Sequence, residues 1–245
     1  MTTSRLLSLA ALALTLPLAA CGQAGSDSSA SRSPSGPPVP THPAATSYVS
    51  TVDNPFFPLP VGRTWTYVGR TEAGVEHNVV TVTARTRVVD GVVCVVVHDV
   101  VRDGGGRLVE DTDDWFAQDV DGNVWYFGED TTELSGGSSS TAGSWEAGVD
   151  GARAGLVMPA HPAVGQAYRQ EYLPGEAEDQ ASVLAVDARV TVPAGRFTDL
   201  VQTLDFTALE PDADEHKLYA RGVGLVASRA LDQLDTARLV SVTDD

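Results

Sequence analysis

Acidic side chains are concentrated in one short stretch of the chain, with one arginine among them and two further acids upstream. This acidic group consists of Glu146, Asp150, Arg169, Glu171, Glu176, Glu178 and Asp179. Carboxylate oxygens are ligands for hard cations such as calcium. An arginine between acids can form an internal ion pair, clamp a ligand or do neither, and a solvated surface turn has the same composition. The acidic group is the best candidate for a ligand or cation site.

A second pattern, Asp119, Asp121 and Asn123 around Gly122, matches the start of a calcium-binding loop. The complete loop needs a later bidentate glutamate and helical flanks. Glu129 lies downstream, but the flanking residues have the composition of strands. Because Asp, Gly and Asn also supply the left-handed backbone and local hydrogen bonds of a hairpin turn, we expect a turn here, with a metal loop as the weaker alternative.

Sequence signatures of catalysis are missing. The chain has no Gly-x-Ser-x-Gly elbow, no His-Glu-x-x-His zinc motif, no Walker A pattern and no dinucleotide fingerprint. The carboxylate pair of a glycoside hydrolase could be drawn from so many acids that any chosen pair is weak evidence. We therefore expect a protein that is not an enzyme and needs no cofactor, and we keep a carboxylate-dependent envelope hydrolase as a remote alternative.

Composition favours one acidic folded domain. The 245 residues carry a formal net charge of −17. An acidic surface repels nucleic acid and anionic lipid headgroups and attracts cations, so we expect no nucleic-acid partner. One of the two cysteines, Cys94, lies in the apolar run 92–97 and is predicted to be a small buried side chain. The chain has no isoleucine and a single lysine, which suits a GC-rich genome of the actinobacterial type.

The N-terminus has the layout of an export signal. Arg5 precedes an apolar run that is too short to span a bilayer comfortably. The run ends in Leu18-Ala19-Ala20-Cys21, which resembles the lipobox of bacterial lipoproteins. The resemblance implies that residues 1–20 are removed and that Cys21 carries fatty acyl chains such as palmitate. Several chains on one residue would hold the protein firmly at the extracytoplasmic face of the cell membrane and leave Cys94 without a disulfide partner.

A polar segment separates the predicted anchor from the rest of the chain. Residues 22–47 are rich in Ser, Gly and Pro and have almost no large apolar side chain, so they cannot offset the entropy cost of ordering. We predict that residues 21–47 are the lipidated cysteine and a disordered tether, and that residues 48–245 are a single β-rich domain.

The predicted domain consists of short strands separated by turns. Residues 79–89 alternate apolar and polar side chains, and Asp90-Gly91 separates them from the Val-rich run 92–101, which is a strong hairpin signal. Residues 134–144, rich in Gly and Ser, are predicted to be a mobile loop. Because no segment of the domain shows a helical period, we predict an all-β, mostly antiparallel fold: a single curled sheet, a half-barrel or a barrel-like meander.

Aromatic residues at strand positions are expected to pack in the core more readily than to line a ligand cavity. Trp115 and Trp125 lie symmetrically about the turn at 119–122, so we expect them to face each other across two strands. The full set is Trp65, Trp115, Phe116, Trp125, Tyr126, Phe127 and Trp145.

Four parts of the domain carry a family resemblance. They are DWFAQDVDGNVWYFGE at 114–129, WEAGVDGA at 145–152, YRQEYLPGEAED at 168–179, and VPAGRF at 192–197 followed by YARGVGLV at 219–226. Together they resemble a widespread family of uncharacterised secreted bacterial proteins and lipoproteins, over roughly residues 54–242. The last part is also similar, more weakly and only at the level of the fold, to half-barrel carriers of lipids and lipoproteins. The resemblance implies a secreted, lipid-anchored protein and no particular activity.

From the sequence we therefore expect a membrane-anchored extracytoplasmic domain that binds a ligand or partner. The partner would be a small apolar molecule held by the concave face of the sheet, or another envelope protein. A cation-binding role for the acidic group, with calcium as the cation, is the alternative from a different class. The sequence does not indicate which oligomeric state the protein has.

Overall fold

The computed structural model describes residues 36–231 and 234–244. The predicted export signal and Cys21, the predicted lipid site, lie outside these residues. The described chain forms sixteen strands and one 3-10 turn, Ala45–Ser47. The strands are β1 (Tyr48–Val49), β2 (Thr64–Thr71), β3 (Gly74–Val89), β4 (Val92–Asp103), β5 (Leu108–Asp119), β6 (Val124–Ser135), β7 (Ser138–Ser140), β8 (Trp145–Glu146), β9 (Arg153–Met158), β10 (Ala167–Arg169), β11 (Glu171–Tyr172), β12 (Gln180–Val192), β13 (Gly195–Phe206), β14 (Glu215–Ala220), β15 (Gly224–Ala230) and β16 (Thr236–Thr243).

The strands form one antiparallel sheet that curls into a nearly closed barrel with a single seam. From β2 to β6, and again from β12 to β16, each strand pairs with the next strand in sequence. The final strand, β16, returns to pair with β2 and joins the two halves. The predicted all-β fold class and barrel-like meander are thus confirmed. The described residues contain no helix that is long and apolar enough to cross a membrane.

The seam is bridged by residues 167–172, here called the crossing segment. Its first half, β10, pairs with β12 at one edge of the sheet, and its second half, β11, pairs with β9 at the other edge. Gln170, between the two halves, donates its backbone N–H to the Asp179 carbonyl at 2.8 Å. Gly155 of β9 lies against this point, and a Cβ atom there would come within 2.2 Å of the Gln170 carbonyl carbon. The two edges approach this closely because residue 155 has no side chain.

The tightest turns follow the local sequence. Asp90 and Gly91 both have positive φ, 46° and 78°, and join β3 to β4 in the predicted two-residue hairpin, whose mirror-image turn requires this backbone. The predicted loop at 134–144 is instead a short hairpin, in which β7 pairs with the end of β6. Gly136 and Gly137, with φ of 60° and 86°, form its turn. The sequence did not indicate strand β7 because both faces of this strand are exposed and its residues are all polar.

The core is built from the predicted aromatic residues and many valines. Phe116, Tyr126 and Phe127 are completely buried, and Trp65, Trp115 and Trp145 nearly so. The prediction that Trp115 faces Trp125 is wrong. A register shift after Asp114 pairs Phe116 with Tyr126 and Ala117 with Trp125, and the Phe116 and Tyr126 rings stack at 4.9 Å. Trp115 instead lies under the Arg87 guanidinium, 4.0 Å from its ring centroid.

Residues 36–47 pack against the barrel, although the sequence predicted a disordered tether up to residue 47. Arg169 donates from Nε to the Pro37 carbonyl at 2.9 Å. The His42 ring lies 3.1 Å through Nε2 from an Asp90 carboxylate oxygen and meets the Phe127 ring edge-on at 5.2 Å. Proline restricts the unfolded backbone, so ordering this segment costs less entropy than its polarity suggests. The remainder of the predicted tether, 22–35, lies outside the described residues.

Cys94 is completely buried, as predicted, and forms no disulfide within the described chain. Burial raises the pKa of its thiol to about 12, and the thiolate is the reactive form. In the native protein we expect Cys94 to react with a disulfide reagent such as DTNB about 100-fold more slowly than in guanidinium, where the thiol is exposed. The rates are measured in a Cys21→Ser background, and the double variant Cys21→Ser/Cys94→Ala should release no colour in either condition. Equal rates for the folded and unfolded chain would show that the thiol is open to solvent.

Candidate functional site

A cleft of about 630 Å³ lies at one end of the barrel. It is formed where the β5–β6, β9–β10 and β14–β15 connections meet the segment before β2. We call it the end cleft. Its lining combines apolar and polar side chains, as ligand sites generally do: Asp53, Asn54, Pro55, Phe56, Gln118, Asp121, Gly122, Ala160, His161, Pro162, Val186, Asp199, Val201 and Arg221.

The floor of the end cleft is fixed by a buried amide network. Gln118 Oε1 accepts the backbone N–H groups of Asp53 and Asn54 at 2.9 and 2.7 Å. Asn54 in turn donates from Nδ2 to the Gly122 carbonyl at 2.9 Å and to the Pro159 carbonyl at 3.2 Å. Three separate segments are thereby tied together at one point. Because these side chains are satisfied by the protein itself, they shape the cleft and leave recognition to the residues around it.

The rim of the end cleft carries the exposed charges. Asp53, Asp121 and Asp199 are exposed carboxylates. The Arg221 guanidinium lies 4.6 Å from the Phe56 ring centroid, a cation–π contact that holds it over the aromatic floor. His161 also lines the cleft. The rim thus carries three aspartates and one arginine, so its net charge is negative and it attracts cations.

Asp199 has an unusual backbone. Its φ of 55° lies in the left-handed region, within strand β13, where the pairing with β12 shifts register between Ala188 and Val190. A non-glycine residue in this conformation costs free energy, and such residues concentrate at functional sites. The bulge places the Asp199 carboxylate at the rim of the end cleft.

The segment 119–123, predicted to be a turn with a metal loop as the weaker alternative, is a hairpin turn in which Asp119 is the central acceptor. Its Oδ1 accepts the backbone N–H groups of Asp121 and Asn123 at 3.0 and 2.9 Å. Its Oδ2 accepts the Asn123 side-chain amide and the Trp125 indole N–H, both at 2.9 Å. The Asn123 Oδ1 accepts the Ala160 backbone N–H at 2.9 Å. The side-chain oxygens of Asp119 and Asn123 are thus already used by the turn, which supports the hairpin interpretation, and the Asp121 carboxylate is exposed.

Removing the Asp119 carboxylate should destabilise this turn. We expect Asp119→Ala to lower the free energy of unfolding by about 2 kcal/mol, because four donors lose a charged acceptor. Urea unfolding followed by tryptophan fluorescence measures the change. The matched variant is Asp121→Ala, which removes an exposed acid from the same turn and should cost less than about 0.5 kcal/mol. An equal loss for both variants would contradict the assigned role of Asp119.

The structure distributes the acidic group over several places. Glu146 lies on the outer surface and forms an ion pair with Arg87 at 2.6 Å, and Asp150 occupies a turn with φ of 51°. Glu176 is exposed in the turn after β11. Arg169, Glu178, Asp179 and Glu171 gather around the crossing segment. Among the described residues, no three His, Cys, Asp or Glu side chains are placed to hold a metal ion.

Arg169 lies on the outer side of the crossing segment and contacts several neighbouring residues. Its Nη1 lies 3.6 Å from Glu178 Oε2, and its guanidinium stacks over the Tyr172 ring at 5.2 Å. Together with the bond to Pro37, these contacts make Arg169 a structural link between the seam and residues 36–47.

The expectation of calcium binding stays a prediction. A calcium titration followed by thermal melting tests it, since a bound cation raises the melting temperature.

The inner part of the crossing segment belongs to a buried acidic interior that the sequence did not indicate. Glu171 is 1% exposed, and burial holds its pKa well above its usual range. Asp114, completely buried, accepts the Tyr126 hydroxyl at 2.8 Å, and burial raises its pKa to about 7. Glu129 faces Asp114 across β5 and β6, and burial followed by the charge of Asp114 raises its pKa.

A second interior network surrounds Lys217, which is 5% exposed. Its Nζ lies 3.0 Å from Asp205 Oδ2 and 3.6 Å from Glu215 Oε2. Burial alone would lower the pKa of the Lys217 ammonium, but the charges of Asp205 and Glu215 outweigh burial and hold it above its usual range. Asp205 also accepts hydrogen bonds from Thr203 Oγ1 and from Gln170 Nε2.

A small apolar cavity lies between strand β2 and the segment before it. The cavity bounded by Phe57, Leu59, Trp65 and Tyr67 has a volume of about 10 Å³, which is room for at most one water molecule. This cavity offers no space for the apolar molecule expected from the sequence. The end cleft is therefore the better place for a ligand.

Comparisons with known proteins find similarity in fold. No family model matches the chain, and no curated protein matches it in sequence. A structure from Bacteroides fragilis, described as an exported protein with a YmcC-like fold, is 17% identical over 77% of this chain and 99% of its own, with a TM-score of 0.46. A structure from Parabacteroides distasonis, described as a lipoprotein, is 12% identical over 77% of this chain and 98% of its own, with a TM-score of 0.42. At these levels the similarity assigns no ligand, activity or location to this chain.

Proposed function

We propose that this chain is a membrane-tethered, extracytoplasmic binding domain without enzymatic activity, and that the end cleft is its binding site. The lipobox-like segment at 18–21 supports the tether and the location. The observation that carries the binding site is a cleft of about 630 Å³ whose floor is locked by hydrogen bonds and whose rim carries exposed charge. A preformed, partly apolar concavity with a few polar groups is the usual form of a ligand site.

The charges of the rim favour a cationic ligand. Asp53, Asp121 and Asp199 surround the cleft, and the chain as a whole has a net charge of −17, so the field at the rim is negative. The Arg221 guanidinium is held against Phe56. Asp53 accepts the Gln118 side-chain amide through Oδ1 at 2.7 Å, and the Asp121 and Asp199 carboxylates are exposed to solvent. A flexible basic segment of an envelope protein, with lysine or arginine side chains reaching the rim, fits this arrangement.

Binding of an acetylated and amidated trilysine peptide to the purified full-length protein tests the site. We expect saturable binding by isothermal titration calorimetry. The double variant Asp121→Asn/Asp199→Asn should weaken it by about tenfold, because two exposed carboxylates of the rim are lost. The control is Asp130→Asn/Asp212→Asn, which removes the same charge from exposed positions outside the cleft.

The control separates the cleft from the overall field of the protein. If the control weakens binding as much as the cleft variant does, the peptide is attracted by net charge alone and the proposed site is wrong. Absence of saturable binding to the unsubstituted protein would also overturn it. Retention of peptide binding in the control, with loss in the cleft variant, supports it.

A further inference from the structure

Lys217 is the only lysine in the chain, whose 16 basic residues are otherwise all arginines. Arginine forms ion pairs with carboxylates at least as well as lysine does, but its guanidinium is not a nucleophile at neutral pH. The single primary amine side chain is also buried in the barrel interior. The only lysine side chain therefore lies in a buried position where its amine can act as a nucleophile, which an arginine side chain cannot do.

The strand register brings three reacting groups together there. Thr203 and Asp205 of β13 lie opposite Lys217 and Glu215 of β14, so all four side chains lie on one face of the sheet. Asp205 and Lys217 are diagonal neighbours, with Nζ 3.0 Å from Oδ2. Glu215 lies 3.6 Å from the same amine. Reacting atoms held about this close have a large advantage over groups free in solution.

We propose that Lys217 and Asp205 condense into an intramolecular isopeptide bond. One proton passes from the ammonium through Glu215, which leaves a neutral amine beside a protonated Asp205 carboxyl. Nζ attacks Cγ, the Cγ–Nζ bond forms, and the bond from Cγ to the hydroxyl oxygen breaks. Ammonium and carboxylate are thereby converted into an amide and one water molecule, with no oxidant or reductant required.

The groups around Asp205 suit each step of this reaction. Thr203 donates its hydroxyl to Oδ1, where negative charge develops as the amine attacks, and a fixed donor at that position stabilises the intermediate. Glu215 is placed to accept the proton from Nζ and return it to the departing oxygen. The reaction occurs once in the life of each molecule, so a rare neutral pair is sufficient even though the ion pair is the dominant state.

The bond would staple β13 to β14 beside the seam of the barrel. Gln170 of the crossing segment donates at 3.2 Å to Asp205 Oδ2, the oxygen that leaves as water, so this hydrogen bond holds the leaving oxygen in place before the reaction. Cys94, the described cysteine, forms no disulfide. A covalent link that needs no cysteine would stabilise a domain exposed outside the cytoplasm.

Trypsin provides a direct test on the full-length protein. Between Arg196 and Arg221 the only cleavage site is Lys217, so an unlinked chain yields peptides 197–217 and 218–221. An isopeptide blocks cleavage at Lys217, and we expect the single peptide 197–221, lighter by one water than its sequence, with fragmentation placing the loss between Asp205 and Lys217. Recovery of peptide 197–217 from fully folded, aged protein would overturn the proposal.

Two variants link the mass loss to the assigned roles. Lys217→Arg keeps the ion pair and removes the amine, and Glu215→Gln keeps both reactants and removes the proton relay. In both variants we expect trypsin to cleave after residue 217 again, or peptide 197–221 to have its full mass. Gel filtration should show that each variant is still folded. If Lys217→Arg still loses one water, the dehydration occurs elsewhere and the isopeptide is excluded.

Discussion

The melting temperature of the domain is expected to fall by roughly 10 °C between pH 5 and pH 8.5, a range in which protein stability is usually near its maximum. The cause is the buried acidic interior. Burial raises the pKa of Asp114 to about 7 and that of Glu76 to about 7, and it raises the pKa of Asp179 to about 8. Asp99 and Glu129 are shifted in the same direction.

The direction follows from proton linkage. In the unfolded chain these carboxyls lose their protons near pH 4, whereas in the folded chain Asp114 and Glu76 hold theirs to about pH 7. Their contribution to stability is therefore complete below pH 4 and is lost as the pH rises through 7 to 8. One pKa unit corresponds to about 1.4 kcal/mol, and the pKa of Asp114 rises by about three units, so Asp114 alone contributes on the order of 4 kcal/mol.

The variant Asp114→Asn removes one titrating group at constant shape. Its amide oxygen can still accept the Tyr126 hydroxyl, so we expect it to be more stable than the unsubstituted protein at pH 8.5 and to lose less melting temperature across the range. Differential scanning calorimetry at fixed ionic strength measures both. Asp130→Asn, at an exposed position of β6, should keep the full pH dependence. A melting temperature that rises toward pH 8.5 would contradict protonated carboxyls in the interior.

The sequence could indicate strands and turns because these depend on local chemistry. The Asp90-Gly91 hairpin, the half-buried alternation of β3 and the buried Val-rich β4 are all determined by neighbouring residues. The turn at 119–123 was expected for the same reason. The Asp119 side chain forms its own hydrogen bonds within that turn, so no distant partner is needed to identify it.

The acidic interior could not be predicted because both faces of its strands are polar. In β5, Glu110, Thr112 and Asp114 face inward and are buried, while Asp111 and Asp113 between them face outward. Alternation identifies a buried face only where apolar and polar residues take turns. The end cleft was missed for a different reason: its lining comes from residues between 53 and 221, which meet only once the barrel closes.

Barrel closure itself depends on Gly155, whose role no local pattern reveals. It pairs with Tyr126 of β6, and its φ is not in the left-handed region, so its backbone would accept any residue. The constraint is steric. A Cβ atom would lie 2.2 Å from the Gln170 carbonyl carbon and 2.5 Å from the Glu171 backbone nitrogen. These are backbone atoms of the crossing segment, which cannot rotate away as the end of a side chain would.

We therefore expect Gly155→Ala to lower the free energy of unfolding by about 3 kcal/mol or more, because either β9 or the crossing segment must move away from the seam. The melting temperature should fall by about 10 °C, and amide hydrogen exchange should accelerate first in 167–172. Gly104→Ala is the matched control, since its Cβ would meet nothing closer than 3.4 Å. If Gly155→Ala melts like the control, the two edges of the sheet are not in contact in solution and the barrel is open at the seam.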